Sequence, residues 1–213
     1  MKKQVFALTL TAMLAAGCSD SSTAPKAAAS DRSNDATILG GGASAALTSV
    51  DTLRFTFVID PSRTISYSLG AGNKIVFPAR SLCDVSTSKY GNGEWDKPCT
   101  PATSPVTIYT KAWLDTKGFA HVDFDKHVRF VPTSNPAGWV MLSLYDYGAS
   151  TLAWLNIDYC KDLKEAGKDN CKDESKDDPT LATVKNPITG QYTRRLKHFS
   201  GYSLTSGRSS GMD

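Results

Sequence analysis

From residue 53 onward, apolar and polar positions alternate. Leu53, Phe55, Phe57 and Ile59 interleave with Arg54, Thr56, Val58 and Asp60. A period of two puts successive side chains on opposite faces, so this stretch predicts a strand with one buried face. Pro61-Ser62 marks a turn, after which Ile65, Tyr67 and Leu69 alternate again, and the two runs together predict a hairpin. Gly70-Ala71-Gly72-Asn73 is a second turn, and Lys74-Ile75-Val76-Phe77 is a short apolar run stopped by Pro78. Further strands are expected at 106–113, 119–124, 128–131, 139–145 and 152–159. A strand end and turn follow at 183–190, then strands at 191–197 and 200–204, the last as a new strand or a continuation. Gly, Pro, Asn and Asp punctuate these runs, and no window holds three turns of an amphipathic helix. Many short strands between frequent turns predict an all-β fold, an antiparallel sandwich or barrel.

Two stretches break the pattern. Residues 81–103 lack periodicity but hold Cys83, Tyr90, Gly91, Gly93, Trp95, Pro98 and Cys99. This reads as a long loop at the surface, with Trp95 either projecting or folded back on the core. Residues 161–178 are charged. A calcium loop would need acids or amides at its first, third and fifth positions and Gly at its sixth, and no window fits. Lysines interspersed among the acids also oppose a divalent cation, which leaves a solvated loop or a short helix.

The chain begins differently. Lys2 and Lys3 precede an apolar segment from Val5 to Ala16, too short to span a bilayer. The segment ends Leu14-Ala15-Ala16-Gly17-Cys18, which resembles a bacterial lipoprotein signal. The resemblance implies removal of residues 1–17, acylation of Cys18 and a membrane partner through that lipid. The expected location is the bacterial cell envelope. Ser19 favours the outer membrane in a Gram-negative cell, by similarity to the enterobacterial sorting pattern. Residues 18–50 are rich in Ser, Ala, Gly, Thr and Asp and lack aromatics, so they read as a lipidated N-terminus and flexible linker. Residues 51–205 form the expected β domain, and 206–213 a frayed tail.

Export sets the cysteine chemistry. Cys83, Cys99, Cys160 and Cys171 remain, an even number in an oxidising compartment. Of three possible pairings, the local one is expected: Cys83–Cys99 and Cys160–Cys171. Each bond would close a polar, turn-rich insertion with little else to order it. No short Cys-x-x-Cys spacing supports zinc instead. The net charge of +3, with no Lys/Arg run longer than two, argues against nucleic acid.

Candidate chemistry is sparse. His121, Asp123, Asp125 and His127 share strand parity, yet the outer two would lie about 20 Å apart along a strand at roughly 3.3 Å per residue. One metal ion cannot bridge that span, so a solvated face is expected, with no metal and no cofactor. His198-Phe199-Ser200 is different. Ser200 Oγ could attack the Phe199 carbonyl and turn the peptide bond into an ester, with His198 one residue away to help with the proton. In a plain strand, Leu196, His198, Ser200 and Tyr202 would instead share one face and Phe199 would take the other.

Four motifs then occur in order: Gly72-Asn73-Lys74-Ile75-Val76-Phe77-Pro78-Ala79, Pro105-Val106-Thr107-Ile108, Val128-Arg129-Phe130-Val131-Pro132 and His198-Phe199-Ser200-Gly201-Tyr202. Together they resemble the ZU-five β-domain of netrin receptors, ankyrins and tight-junction proteins. The resemblance implies a β-sandwich serving as a binding or structural module for an unknown protein or glycan; with the strand and cysteine readings above, the expected fold is an antiparallel β-sandwich of short strands with long disulfide-fastened loops. Tyr90, Trp95, Tyr145 and Tyr147 are the aromatic contacts expected on its surface. A death-domain adaptor of that family, and the self-processing nucleoporins outside it, cleave between Phe and Ser of a His-Phe-Ser motif. By that likeness the alternative is self-cleavage here, with His198 as helper, Phe199 as acyl donor and Ser200 as nucleophile.

Overall fold

The computed structural model describes residues 52–147, 155–161, 163 and 171–206, with the backbone of Asp35–Thr37. All of these fall in one compact unit, Asn34–Asp213. The strands, in chain order, are β1 (Asp35–Thr37), β2 (Leu53–Ile59), β3 (Ile65–Ser68), β4 (Lys74–Phe77), β5 (Val106–Leu114), β6 (Ala120–Phe124), β7 (Val140–Tyr145), β8 (Leu155–Cys160), β9 (Cys171–Lys172), β10 (Val184–Lys185), β11 (Gln191–Leu196) and β12 (Gly201–Ser206). Among the described residues the only helical turns are three short 3-10 turns.

Two sheets face each other, as expected of a sandwich. One runs β1-β2-β5-β6-β12-β8-β9 and the other β10-β11-β7-β4-β3. Every pairing is antiparallel except that of β1 with β2. β1 falls inside the stretch read from sequence as linker. A strand at an edge needs only backbone partners, and that composition does not forbid them.

The alternation predicted for β2 is observed, with Phe55, Phe57 and Ile59 buried and Arg54 and Val58 exposed. The expected hairpin between β2 and β3 does not form. β2 pairs with β5, whereas β3 pairs with β4 in the other sheet. The turn at Asp60, whose carboxylate accepts from the Ser62 amide (2.9 Å) and hydroxyl (2.7 Å), carries the chain across the core. Phe57 and Tyr67 then stack face to face from opposite sheets, their centroids 4.5 Å apart. Burying two apolar faces against each other favours this arch over a two-stranded ribbon, which would leave one face wet.

The stretch 128–131 differs from expectation as well. It makes single bridges, Phe130 with Leu82 and Arg129 with His198, instead of a continuous strand. It lies where the chain passes from β11 to β12, and so from one sheet to the other. Phe130 N donates to Lys197 O (2.8 Å), and Phe199 N donates to Val128 O (2.7 Å). The end of the domain is therefore two strands in two sheets, joined by a corner at residues 197–200. β12 enters between β6 and β8, with registers Gly201 to Asp123 and Gly201 to Cys160.

Both expected disulfides are present, Cys83–Cys99 and Cys160–Cys171, with Cα atoms 5.7 Å and 4.0 Å apart.

Candidate functional site at the sheet-crossing corner

The corner separates the two halves of Phe199. Its ring is buried among Phe124 (4.6 Å between centroids), Phe130 (5.0 Å) and Phe77 (5.7 Å). Its carbonyl turns the other way, into a polar cluster. The Tyr90 hydroxyl donates a hydrogen bond to the Phe199 carbonyl oxygen. His198 Nδ1 stands 3.1 Å from the same oxygen and 3.4 Å from the Tyr90 hydroxyl. A proton on Nδ1 lets the ring donate there too.

His198 is almost wholly buried, at 1% exposure. Trp95 stacks on it at 3.9 Å, and Tyr159 meets it edge-on at 5.1 Å. Nε2 faces Glu174 Oε1 at 3.6 Å. The other oxygen of Glu174 accepts from Arg194, whose guanidinium also donates to the Ile157 carbonyl. Arg194 is buried, as are its same-parity neighbours in β11, Tyr192 and Leu196. A buried guanidinium is costly unless it is paired, and Glu174 pairs it. Burial acts to raise the Glu174 pKa, but the hydrogen bond and charge of His198, with the charge of Arg194, outweigh it and hold the carboxyl below its ordinary value. Burial likewise lifts the Tyr90 phenol well above its usual range, helped by Tyr159 and Glu174 and opposed by the neighbouring Ser200 hydroxyl. Tyr90 is therefore a protonated donor at neutral pH.

Ser200 Oγ donates to the Cys160 carbonyl at 3.3 Å. His198 Nδ1 thus faces the carbonyl oxygen of Phe199, while the serine hydroxyl is turned to the Cys160 carbonyl. The shared-face pattern expected of a plain strand does not hold, because β11 ends at Leu196 and β12 starts at Gly201. Gly201 is required by close approach. A Cβ there would stand 2.6 Å from Leu163 Cβ and 2.8 Å from the Cys160 carbonyl oxygen.

The other candidates are scattered. Tyr90 and Trp95 fold back over His198 and are only partly exposed, so they are site walls and not free contacts. Tyr145 and Tyr147 pack on each other at 4.8 Å beside the Gly70–Asn73 turn. Tyr147, half exposed, donates to the Ala71 carbonyl. His121 is buried against Trp113 instead of lying on a solvated face, and its Nε2 is 3.6 Å from Asp115. His127 packs on Tyr90. No metal-binding group of His, Cys, Asp or Glu occurs among the described residues. Within the charged insertion, the Asp173 and Asp178 carboxylates accept from Ser175 and Thr180 amides at the starts of 3-10 turns. Cys18 lies outside the described residues.

Sequence reasoning missed Glu174 and Arg194 as site residues and misplaced Tyr90. The available signal was the cysteines: Tyr90 and Trp95 lie between Cys83 and Cys99, and Glu174 follows Cys171 by three positions. Comparison with known proteins finds no matching family model, no matching curated protein and no matching solved structure.

Proposed function

We propose that this chain is a lipid-anchored module of the bacterial cell envelope, and that its β-sandwich cleaves its own backbone between Phe199 and Ser200. The anchor is supported by the residues around Cys18. The kinship with ZU-five domains is part of the same proposal, supported by the four motifs and the sandwich architecture. One observation carries the cleavage: the Phe199 carbonyl oxygen accepts from the Tyr90 hydroxyl and is faced by His198 Nδ1. Donors aimed at the oxygen where charge develops are the main source of catalysis in acyl transfer.

In the proposed step, Ser200 Oγ bonds to the Phe199 carbonyl carbon. The bond from that carbon to the Ser200 nitrogen breaks, and the hydroxyl proton ends on the freed amine. Water then adds to the ester, leaving a carboxylate on Phe199 and restoring the Ser200 hydroxyl. No electrons are exchanged. The buried Phe199 ring and the register of β12 hold the acyl donor and the nucleophile in place, which supplies the proximity such a step needs.

The test is the denatured, reduced mass of the mature protein beside a Ser200→Ala variant. A released Ser200–Asp213 peptide from the native chain, and none from the variant, is the expected result. An intact chain in both after long incubation would sink the reading and leave an uncut module whose partner is a protein or a glycan.

A further inference from the structure

The cluster around Phe199 is assembled by segments that are remote in sequence. Tyr90 comes from a loop in which none of residues 84–98 is fully buried. Such a loop has little apolar burial to hold its shape. Trp95 stacks on His198 (3.9 Å) and the Asp96 carboxylate pairs with Lys197 (2.6 Å), and further fastenings lie toward its ends. The Cys83–Cys99 bond closes it, and the Arg129 guanidinium donates to the carbonyls of Glu94 (2.8 Å), Lys97 and Pro98 (3.2 Å). At its base, Asp84 N donates to Thr100 O (2.8 Å). Between these ties, Tyr90 reaches inward to Phe199 O and packs edge-on against Trp95 at 4.7 Å.

We propose that Tyr90 donates the hydrogen bond that stabilises the oxyanion formed on Phe199 during self-cleavage, and that the Cys83–Cys99 disulfide, by holding Tyr90 there, confines cleavage to the oxidised chain. The inference rests on the self-cleavage reading above. Tyr90 keeps its proton throughout and gives only a hydrogen bond, which strengthens as charge gathers on the oxygen. The disulfide forms separately, by exchange with an oxidised disulfide compound that takes up two electrons and two protons from the cysteine thiols. Such compounds act in the compartments that exported chains reach. The reduced chain inside the cell would lack a fixed donor and stay whole.

Tyr90→Phe keeps the ring against Trp95 and His127 and removes only the hydroxyl. In the full exported chain it should slow release of the Ser200–Asp213 peptide by about 100-fold, the usual cost of one oxyanion donor, while its urea midpoint stays close to the native one. The Cys83→Ser/Cys99→Ser double variant, checked for cooperative unfolding, should be slowed on the order of 10-fold or more, as expected of a displaced catalytic group. Should that variant not fold, native chain made in a reducing cytoplasm replaces it: it should be whole, and adding oxidised glutathione should start cleavage. Native-rate cleavage in Tyr90→Phe overturns the proposal, and so does a chain already cut before oxidant is added. No peptide from the oxidised native protein defeats the self-cleavage reading itself, a result distinct from either of these.

Discussion

Phe199 has two duties on opposite sides of one Cα. Its ring fills the aromatic centre of the core, and its carbonyl faces Tyr90 and His198. Truncating the ring should therefore unfold the domain before it reports on chemistry: Phe199→Ala should cost about 3–5 kcal/mol in urea unfolding, the usual loss for a buried aromatic. Asp178 offers a cleaner residue-scale test. Burial acts against its charge, but hydrogen bonds from Lys197 and Thr180 and the charge of Lys197 outweigh it and hold its pKa at about 2. The folded value lies below the ordinary 3.8, so its stabilisation is complete above that pH and is lost as the pH falls toward about 2. Glu174, also lowered, has the same sign and fades below its ordinary 4.5. Urea midpoints should hold level from neutral pH to roughly 5 and then fall. Asp178→Asn should start lower at neutral pH and fall less between 3.8 and 2; parallel curves would count against the assignment. None of these environments could be read along the chain. His198 meets Tyr90 from 108 positions away, and Arg194 meets Glu174 from 20 away.

At the scale of elements, local pattern decided which faces are buried but not which strands pair. The alternation in 53–59 correctly predicts β2 and its buried Phe55, Phe57 and Ile59. The same alternation is compatible with a hairpin or an arch, since both bury one face, and contacts across the core, such as Phe57 on Tyr67 and Phe77, distinguish the arch. The corner at 197–200 was hidden for a related reason. β11 and β12 both carry strand-like residues, and only Gly201, the first residue of β12, signals a change of sheet. That glycine gives the element-scale prediction. Gly201→Ala forces a Cβ against Leu163 and the Cys160 carbonyl, and should destabilise the fold by roughly 1–3 kcal/mol, as overpacking does. Equilibrium unfolding measures it, and a native midpoint would show that β8 and the residues after it can yield.

For the molecule as a whole, the disulfides and the strand order were legible to different degrees. The local disulfide pairing followed from two polar insertions that each needed closing, and both bonds are present. The assignment of strands to two sheets depended on long-range contacts that no local run records. A cut at Phe199–Ser200 would leave β12 hydrogen-bonded on both sides, to β6 and to β8. The two pieces should therefore migrate together in native gel filtration and part only in denaturant; separation under native conditions would mean that the backbone link itself is needed. The place of β12 also bears on timing. Its neighbours are complete by residue 160, yet the slot between them stays open until residues 201–206 arrive. Under the proposed export, a chain delivered N-terminus first could close its larger sheet only after its last strand has crossed. The last strand to emerge acts as the keystone, and a chain ending at Ser200 should stay sensitive to protease however long it is left to mature.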